Sequence, residues 1–393
     1  MATVDQKMIH TYGDNGRMAR LDKLTSLCPL PVLTAYWTPP PAWPRRIFDT
    51  RFSAITMNRA FWLITSTILL LYFLIMDIFL FTRYRSVNLV NEAKIGDRSE
   101  VYSPFTHLTV KAIISDHLRH YFFTPTAEYF NTVTSFATVF SFISPNMVSI
   151  FHLVCAFISG KFIASENLND RRIGVVLYFF RTWLDSLDGI VYRTQAGRHL
   201  QYNSVYSSFG YFVDAFFDTL GGIFLSVGVL FYLFKRFGSD ASANLPVWMK
   251  ISDSSAVAHP LTNGHAVGSK RETYSYRYLF LKVLSYGIAL AVAGICWDRA
   301  VKGFSEVFQV QIDDPSLSVL QFETSHSYFT LLLFFIWRFI SGQTVLNYLL
   351  IAIYMDKIWE FLKCTQWVLL LITLPLYTVT VIYLQNIHNK LRV

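Results

Sequence analysis

Seven stretches of this chain are long and apolar enough to cross roughly 30 Å of hydrocarbon as helices: 60–81, 146–165, 172–193, 211–235, 276–297, 327–354 and 365–385. A bilayer offers backbone amides no partner, so spanning segments must close their hydrogen bonds internally. Runs of about twenty residues do this as helices. The expected fold is therefore an all-α polytopic membrane protein with about seven transmembrane helices. Only 15% of the 393 residues are charged, against roughly 25% in soluble domains. Aromatics make up 17%, with 35 Phe, which suits lipid-facing surfaces and interfacial belts. No nucleic-acid partner is expected. Cys28, Cys155, Cys296 and Cys364 form no CxxC, so neither disulfides nor a cysteine metal site is expected.

Two adjacent apolar segments carry four aspartates: Asp185 and Asp188 near the end of one, Asp214 and Asp218 at the start of the next. A carboxylate at the centre of a membrane helix costs about 2.5–3.5 kcal/mol on insertion scales, so four together need a shared reason. Asp185 and Asp188 are i, i+3, and Asp214 and Asp218 are i, i+4, so each pair shares a helix face. If the two helices are antiparallel neighbours, all four converge at one end. Hard oxygen ligands of this kind suit Mg²⁺ or Mn²⁺. Two such ions roughly 3.5–4 Å apart form a clamp for phosphoryl displacement and would neutralise the four charges.

The sixth span is interrupted at Ser341-Gly342, which predicts a kink or two half-helices. Residues 107–120 read as an amphipathic interfacial helix with solvated His117 and His120. Residues 127–143 are a possible eighth span, though rich in Thr and Ser and carrying Glu128. Residues 29–46 hold six prolines and read as extended; residues 237–270 read as a linker. Eight Lys/Arg in residues 1–59 and six in the loop 235–277 favour a cytosolic side for both. The loop 298–326, with two Lys/Arg against five acids, is expected to be lumenal. The extra first span then puts the aspartate end in the lumen. The expected organisation is a tail at 1–59, an extra span at 60–81, a lumenal or interfacial segment at 82–144, a membrane domain at 145–385 and a short tail at 386–393.

The run Asp185-Ser-Leu-Asp188-Gly189-Ile-Val-Tyr192-Arg193, a spacer, then Gly210-Tyr-Phe-Val-Asp214-Ala-Phe-Phe-Asp218 resembles the signature of the CDP-alcohol phosphotransferase family. Two departures stand out. Tyr192 replaces the usual Ala, and the spacer has sixteen residues where eight is usual. Both are similar to the insect ceramide phosphoethanolamine synthase branch of that family. The resemblance covers about residues 140–385. It implies transfer of phosphoethanolamine from CDP-ethanolamine to the primary hydroxyl of ceramide, with CMP as product, in the Golgi membrane. It also implies Mn²⁺ or Mg²⁺, two ions in all, and a homodimer.

On that resemblance Asp185, Asp188, Asp214 and Asp218 are the metal-ligand set, and Asp218 is also the proposed base. A carboxylate beside two cations is a poor base, so orienting the hydroxyl is the larger role expected for Asp218. Arg193 offers a fork of donors to phosphate. Gly189 and Gly210 leave room for a nucleotide against the helix backbones. Tyr192 is expected in the pocket wall. Pro145-Asn146 resembles the family's entry into its first helix; either Pro145 simply starts that helix, or Asn146 faces the metal site and hydrogen-bonds a phosphate or a ligand carboxylate. Arg181 either pairs with Asp185 or touches the diphosphate, and Arg338 has either a structural partner or a phosphate. Two other readings stay open: a choline or ethanolamine phosphotransferase acting on diacylglycerol, and a divalent-cation transporter.

Overall fold

Helices account for the regular structure of the computed structural model, which describes residues 59–92, 102–197, 202, 209–238 and 273–391. All of these fall in one of the chain's two units, 57–241 with 267–393; the other, 1–56 with 242–266, lies outside the described residues. The proline-rich stretch, nearly all of the 237–270 linker and most of the spacer also lie outside them.

Among the described residues, ten helices of eight or more residues follow in order: α1 Arg59–Tyr84, α2 Thr124–Thr134, α3 Pro145–Ile163, α4 Leu168–Gln195, α5 Phe209–Phe237, α6 Tyr276–Phe308, α7 Pro315–Ser325, α8 Tyr328–Ile340, α9 Gly342–Tyr354 and α10 Ile358–Leu391. Local chemistry sets their ends. The Ser144 side chain caps α3 by accepting from Met147 N, with Pro145 in the first turn. Asn167 does the same for α4 and Ser327 for α8.

Among the described residues, by length and apolarity five helices qualify as spans, α1, α3, α5, α6 and the Trp367–Leu391 part of α10, or six if α8 and α9 form one. The expected span 172–193 is the 28-residue α4, roughly 42 Å long, which is too polar to qualify by composition. Protein rather than lipid surrounds its charges: Arg171, Arg181, Asp185 and Asp188 are all buried. The sixth span bends by 40° between Ile340 and Gly342, where the break was expected. The Ser341 hydroxyl accepts from Thr344 N at 3.1 Å, and Thr344 Oγ1 donates to Arg338 O at 2.7 Å, so side chains satisfy the freed backbone groups.

The possible eighth span does not form. Residues 107–143 instead give a short helix, Val110–Ile114, a π turn, Arg119–Phe123, and then α2, only eleven residues long. Ser135 leaves α2 in the left-handed region at φ 51°. The expectation of solvated histidines is also overturned: His117 and His120 are both buried.

The bundle's outer surface is apolar as well as its core. Large apolar side chains of α1 face outward, while α3 turns Ser149, His152, Cys155, Ala156, Ser159 and Gly160 inward. Lipid is as apolar as Leu, so helices associate through close backbone approach and polar contacts. Helix α3 packs closely on both α4 and α5, and α6 packs along α10. At the α3–α5 crossing a Cβ on Gly160 would stand 2.6 Å from Phe224 O, and one on Gly228 would run into the Gly160 carbonyl. Gly228→Ala is therefore expected to cost about 1–3 kcal/mol of stability through overpacking, read by thermal unfolding in detergent. Gly210→Ala, where nothing lies within 4 Å, should leave the melting temperature unchanged. Equal melting of both variants with wild type would remove the close-packing argument.

Candidate active site

The last turns of α4 and the first turns of α5 bring Asp185, Asp188 and Asp214 together, and α3 adds His152. These four residues each offer one ligand atom, all within 4.8 Å of one another. The convergence runs through α3, which packs on both α4 and α5. Ser149 Oγ donates to Asp188 Oδ2 at 2.8 Å, and His152 Nε2 lies 3.7 Å from the same oxygen. The Asp185 Oδ1 and Asp214 Oδ1 atoms are buried with no hydrogen-bond partner, as are both ring nitrogens of His152. Buried carboxylate oxygens without donors are costly unless something positive meets them. This donor set of hard oxygens and one imidazole fits a divalent cation.

Asp218 stands apart from that group. Its Oδ1 accepts from the Arg181 guanidinium, which is itself buried. Arg181 thus pairs with Asp218 and not with Asp185, the partner considered for it from the sequence. Arg181 also lies against Gly221, where a Cβ would meet its Nη2 at 3.2 Å.

A cleft opens over the carboxylates. Its floor is Asp185, Ser186, Asp188, Gly189, Arg193 and Asp214. Its other side comes from residues 102–124, including Lys111, Arg119 and His120, and from Tyr202 of the spacer. Arg119 Nη2 lies 3.2 Å from Asp185 Oδ2. Burial works against the charge of Arg119, but Asp185 beside it, with Asp218, Asp116 and Asp214, more than offsets this and raises its pKa. Burial pushes the Lys111 ammonium down, with Arg119 adding to the effect. Burial also pushes His120 down to about 3, so that ring is neutral; its Nε2 meets Pro104 O at 3.0 Å.

Arg193 ion-pairs with Glu128 at 3.3 Å and lies over the Tyr202 ring at 4.1 Å. The Tyr202 hydroxyl donates to the same Glu128, and its ring centroid is 5.8 Å from that of Tyr102. Gly189 lines the cleft, and a Cβ there would meet Arg193 Nη1 at 3.2 Å. Gly210 is exposed in open space. Tyr192 is 43% exposed and is not among the residues lining this cleft. Asn146 is exposed at the start of α3; Ser149, one turn on, makes the contact to Asp188.

A second buried polar cluster holds the 102–124 segment in place. Asp77 of α1 accepts from Tyr121 OH at 2.6 Å, bonds His117 Nε2 at 2.8 Å and ion-pairs with Arg338 Nη2 at 3.1 Å. Arg338 Nη1 donates to Ile113 O at 2.6 Å. Arg338 therefore has structural partners.

Residues 56–391 match the ceramide phosphoethanolamine synthase family. The chain belongs to this family. The match begins well before residue 140, so α1 and the segment over the cleft lie inside the family's own unit. A curated relative, ceramide phosphoethanolamine synthase of Drosophila melanogaster, is 31% identical over 305 residues, which is 74% of each chain. No solved structure matches the chain. Membership makes the chain a transferase, and its apolar helices make it a multi-pass membrane enzyme.

Proposed function

We propose that this enzyme transfers phosphoethanolamine from CDP-ethanolamine to the primary hydroxyl of ceramide, releasing CMP. The observation that carries this is the placement of three carboxylates, Asp185 and Asp188 buried and Asp214 half-buried, across one cleft from Lys111 and Arg119, in a chain of this family. A nucleoside diphosphate needs both sides of such a cleft.

Asp185, Asp188 and Asp214, with two unpartnered carboxylate oxygens, would hold Mn²⁺ or Mg²⁺, two ions in all on the family resemblance. Bound there, divalent ions supply charge neutralisation of the diphosphate and of the developing leaving group. The chain's own groups do the rest. Arg119, now paired with Asp185, lies where its fork can turn to phosphate oxygens. Arg193, on the cleft floor, offers a second fork, and Glu128 and the Tyr202 ring fix its plane. The ceramide oxygen attacks the phosphorus that bears ethanolamine. The bond from that phosphorus to the bridging oxygen breaks, and CMP leaves with the bond's electrons. Asp218 accepts the hydroxyl proton or orients the hydroxyl. Arg181 holds its carboxylate in place, which favours orientation as the larger role. A loose phosphoryl-transfer transition state asks little of a base.

The choice of ceramide over diacylglycerol is supported by the family. Tyr202, itself a residue of the long spacer, also supports it, since it lines the cleft, where an amide and a second hydroxyl of the acceptor would need partners. The charge distribution of the loops supports a cytosolic N-terminus and a lumenal site, and residence in the Golgi membrane is proposed on the family resemblance alone.

The test uses purified protein and CDP-ethanolamine. CMP release is expected to require a divalent ion and an acceptor lipid. Arg119→Ala should raise KM for CDP-ethanolamine about 10- to 100-fold, the loss of a charge-assisted hydrogen bond, with a smaller fall in kcat. An unchanged KM in a folded Arg119→Ala protein would remove the diphosphate from that side of the cleft.

A further inference from the structure

We propose that His152 is a direct ligand of the divalent ion, making the centre a carboxylate site with one nitrogen donor. This deepens the reading given under the proposed function and rests on it. The ring sits on α3, the helix that carries neither pair of aspartates, and it is fully buried. Neither of its nitrogens has a hydrogen-bond partner. Burying an imidazole this way costs free energy unless a partner arrives. The Asp188 carboxylate lies close by. Nε2 is 3.7 Å from Asp188 Oδ2, too far for a hydrogen bond but suited to two ligands of one ion. His152 joins Asp185, Asp188 and Asp214 in a set whose ligand atoms all lie within 4.8 Å. Two ligands each about 2.0–2.2 Å from a common ion stand no more than about 4.4 Å apart, so a small closure completes the set.

Helical geometry makes the arrangement specific. Ser149 and His152 are i, i+3 on the buried face of α3. Ser149 Oγ donates to Asp188 Oδ2, which fixes that carboxylate. Serine thus acts as a positioning residue and His152 as the ligand. The consequence is a bias among metals. Imidazole binds transition-metal ions better than it binds Mg²⁺, which prefers oxygen and keeps its waters. A site with His152 should favour Mn²⁺ over Mg²⁺ more than the carboxylates alone would.

The experiment needs no turnover. Purified protein is loaded with Mn²⁺ alone and examined by pulsed EPR. The expected spectrum shows the hyperfine coupling of a directly bound nitrogen-14. That coupling should change to the nitrogen-15 pattern in protein grown with labelled histidine and vanish in His152→Gln. His152→Gln should also lower Mn²⁺ affinity at least about tenfold while lowering Mg²⁺ affinity less. Tight Mn²⁺ binding with no nitrogen coupling in the wild type would overturn the ligand assignment and leave the carboxylate site standing. No Mn²⁺ binding at all would overturn both. A nitrogen signal that survives His152→Gln would assign the ligand to another residue.

Discussion

Asp185→Asn, Asp188→Asn and Asp214→Asn should each lower divalent-dependent transfer at least about a hundredfold in protein that still inserts and melts normally. Each carboxylate belongs to one cluster whose atoms lie within 4.8 Å, so no neighbour can take over a lost ligand. Removing even groups that merely orient a metal ligand costs about 10- to 100-fold, and a ligand itself should cost more. Asparagine keeps the volume and one oxygen, which separates lost charge from lost packing. Asp218→Asn should behave differently. Its carboxylate is held by Arg181 and lies outside the cluster, so metal binding should persist while transfer falls. Mn²⁺ affinity measured beside turnover checks both statements. Near-normal turnover in any of the first three would end its assignment as a ligand.

The largest stability effect is expected at Asp77. Asp77→Ala leaves the fully buried Arg338 without its carboxylate, and His117 and Tyr121 without their shared acceptor. Breaking a buried ion pair from one side costs about 3–5 kcal/mol. Arg338→Met should cost a similar amount. Joint replacement, Asp77→Leu with Arg338→Met, should recover a substantial part of the loss, because no charge is then stranded. The cluster also ties α1 to the segment carrying Lys111 and Arg119, so Asp77→Ala should raise KM for CDP-ethanolamine as well. Denaturant unfolding in mixed micelles reads the energies. Single variants as stable as wild type would show that the cluster does not anchor that segment.

The main acidic constellation was legible because an aspartate in an apolar helix is costly and therefore conspicuous. Helical spacing alone placed Asp185 with Asp188. The kink at Ser341-Gly342 was legible for a similar reason, as a polar, flexible break in an apolar run. What escaped was set by contacts distant in sequence. Asp77 is a single acid in a strong apolar span, and its meaning depends on Arg338, which is 261 positions away (338 − 77). Its alignment with Leu80 and Tyr84 on one buried face was the available signal. His152 sat unremarked in a span, although the stripe Ser149, His152, Ala156, Ser159 marks an inward face by spacing. Arg119 and Lys111 were hidden because the segment 107–120 has the amphipathic look of an interfacial helix. Folding that segment over the cleft buries its histidines and turns its cations toward the aspartates. Tyr192 and Asn146 show the reverse: motif position suggested the pocket, and the helix phase leaves both exposed.

One assay bears most directly on the whole account. Purified enzyme is given Mn²⁺, CDP-ethanolamine and equal amounts of ceramide and diacylglycerol, and the lipid products are separated and weighed by mass spectrometry. The account predicts ceramide phosphoethanolamine as the dominant product, formed in step with CMP and lost in Asp214→Asn. Phosphatidylethanolamine as the main product would contradict it and identify a diacylglycerol transferase. Mn²⁺ binding with no CMP from any CDP-alcohol would contradict it more deeply and return the aspartates to a cation-transport role.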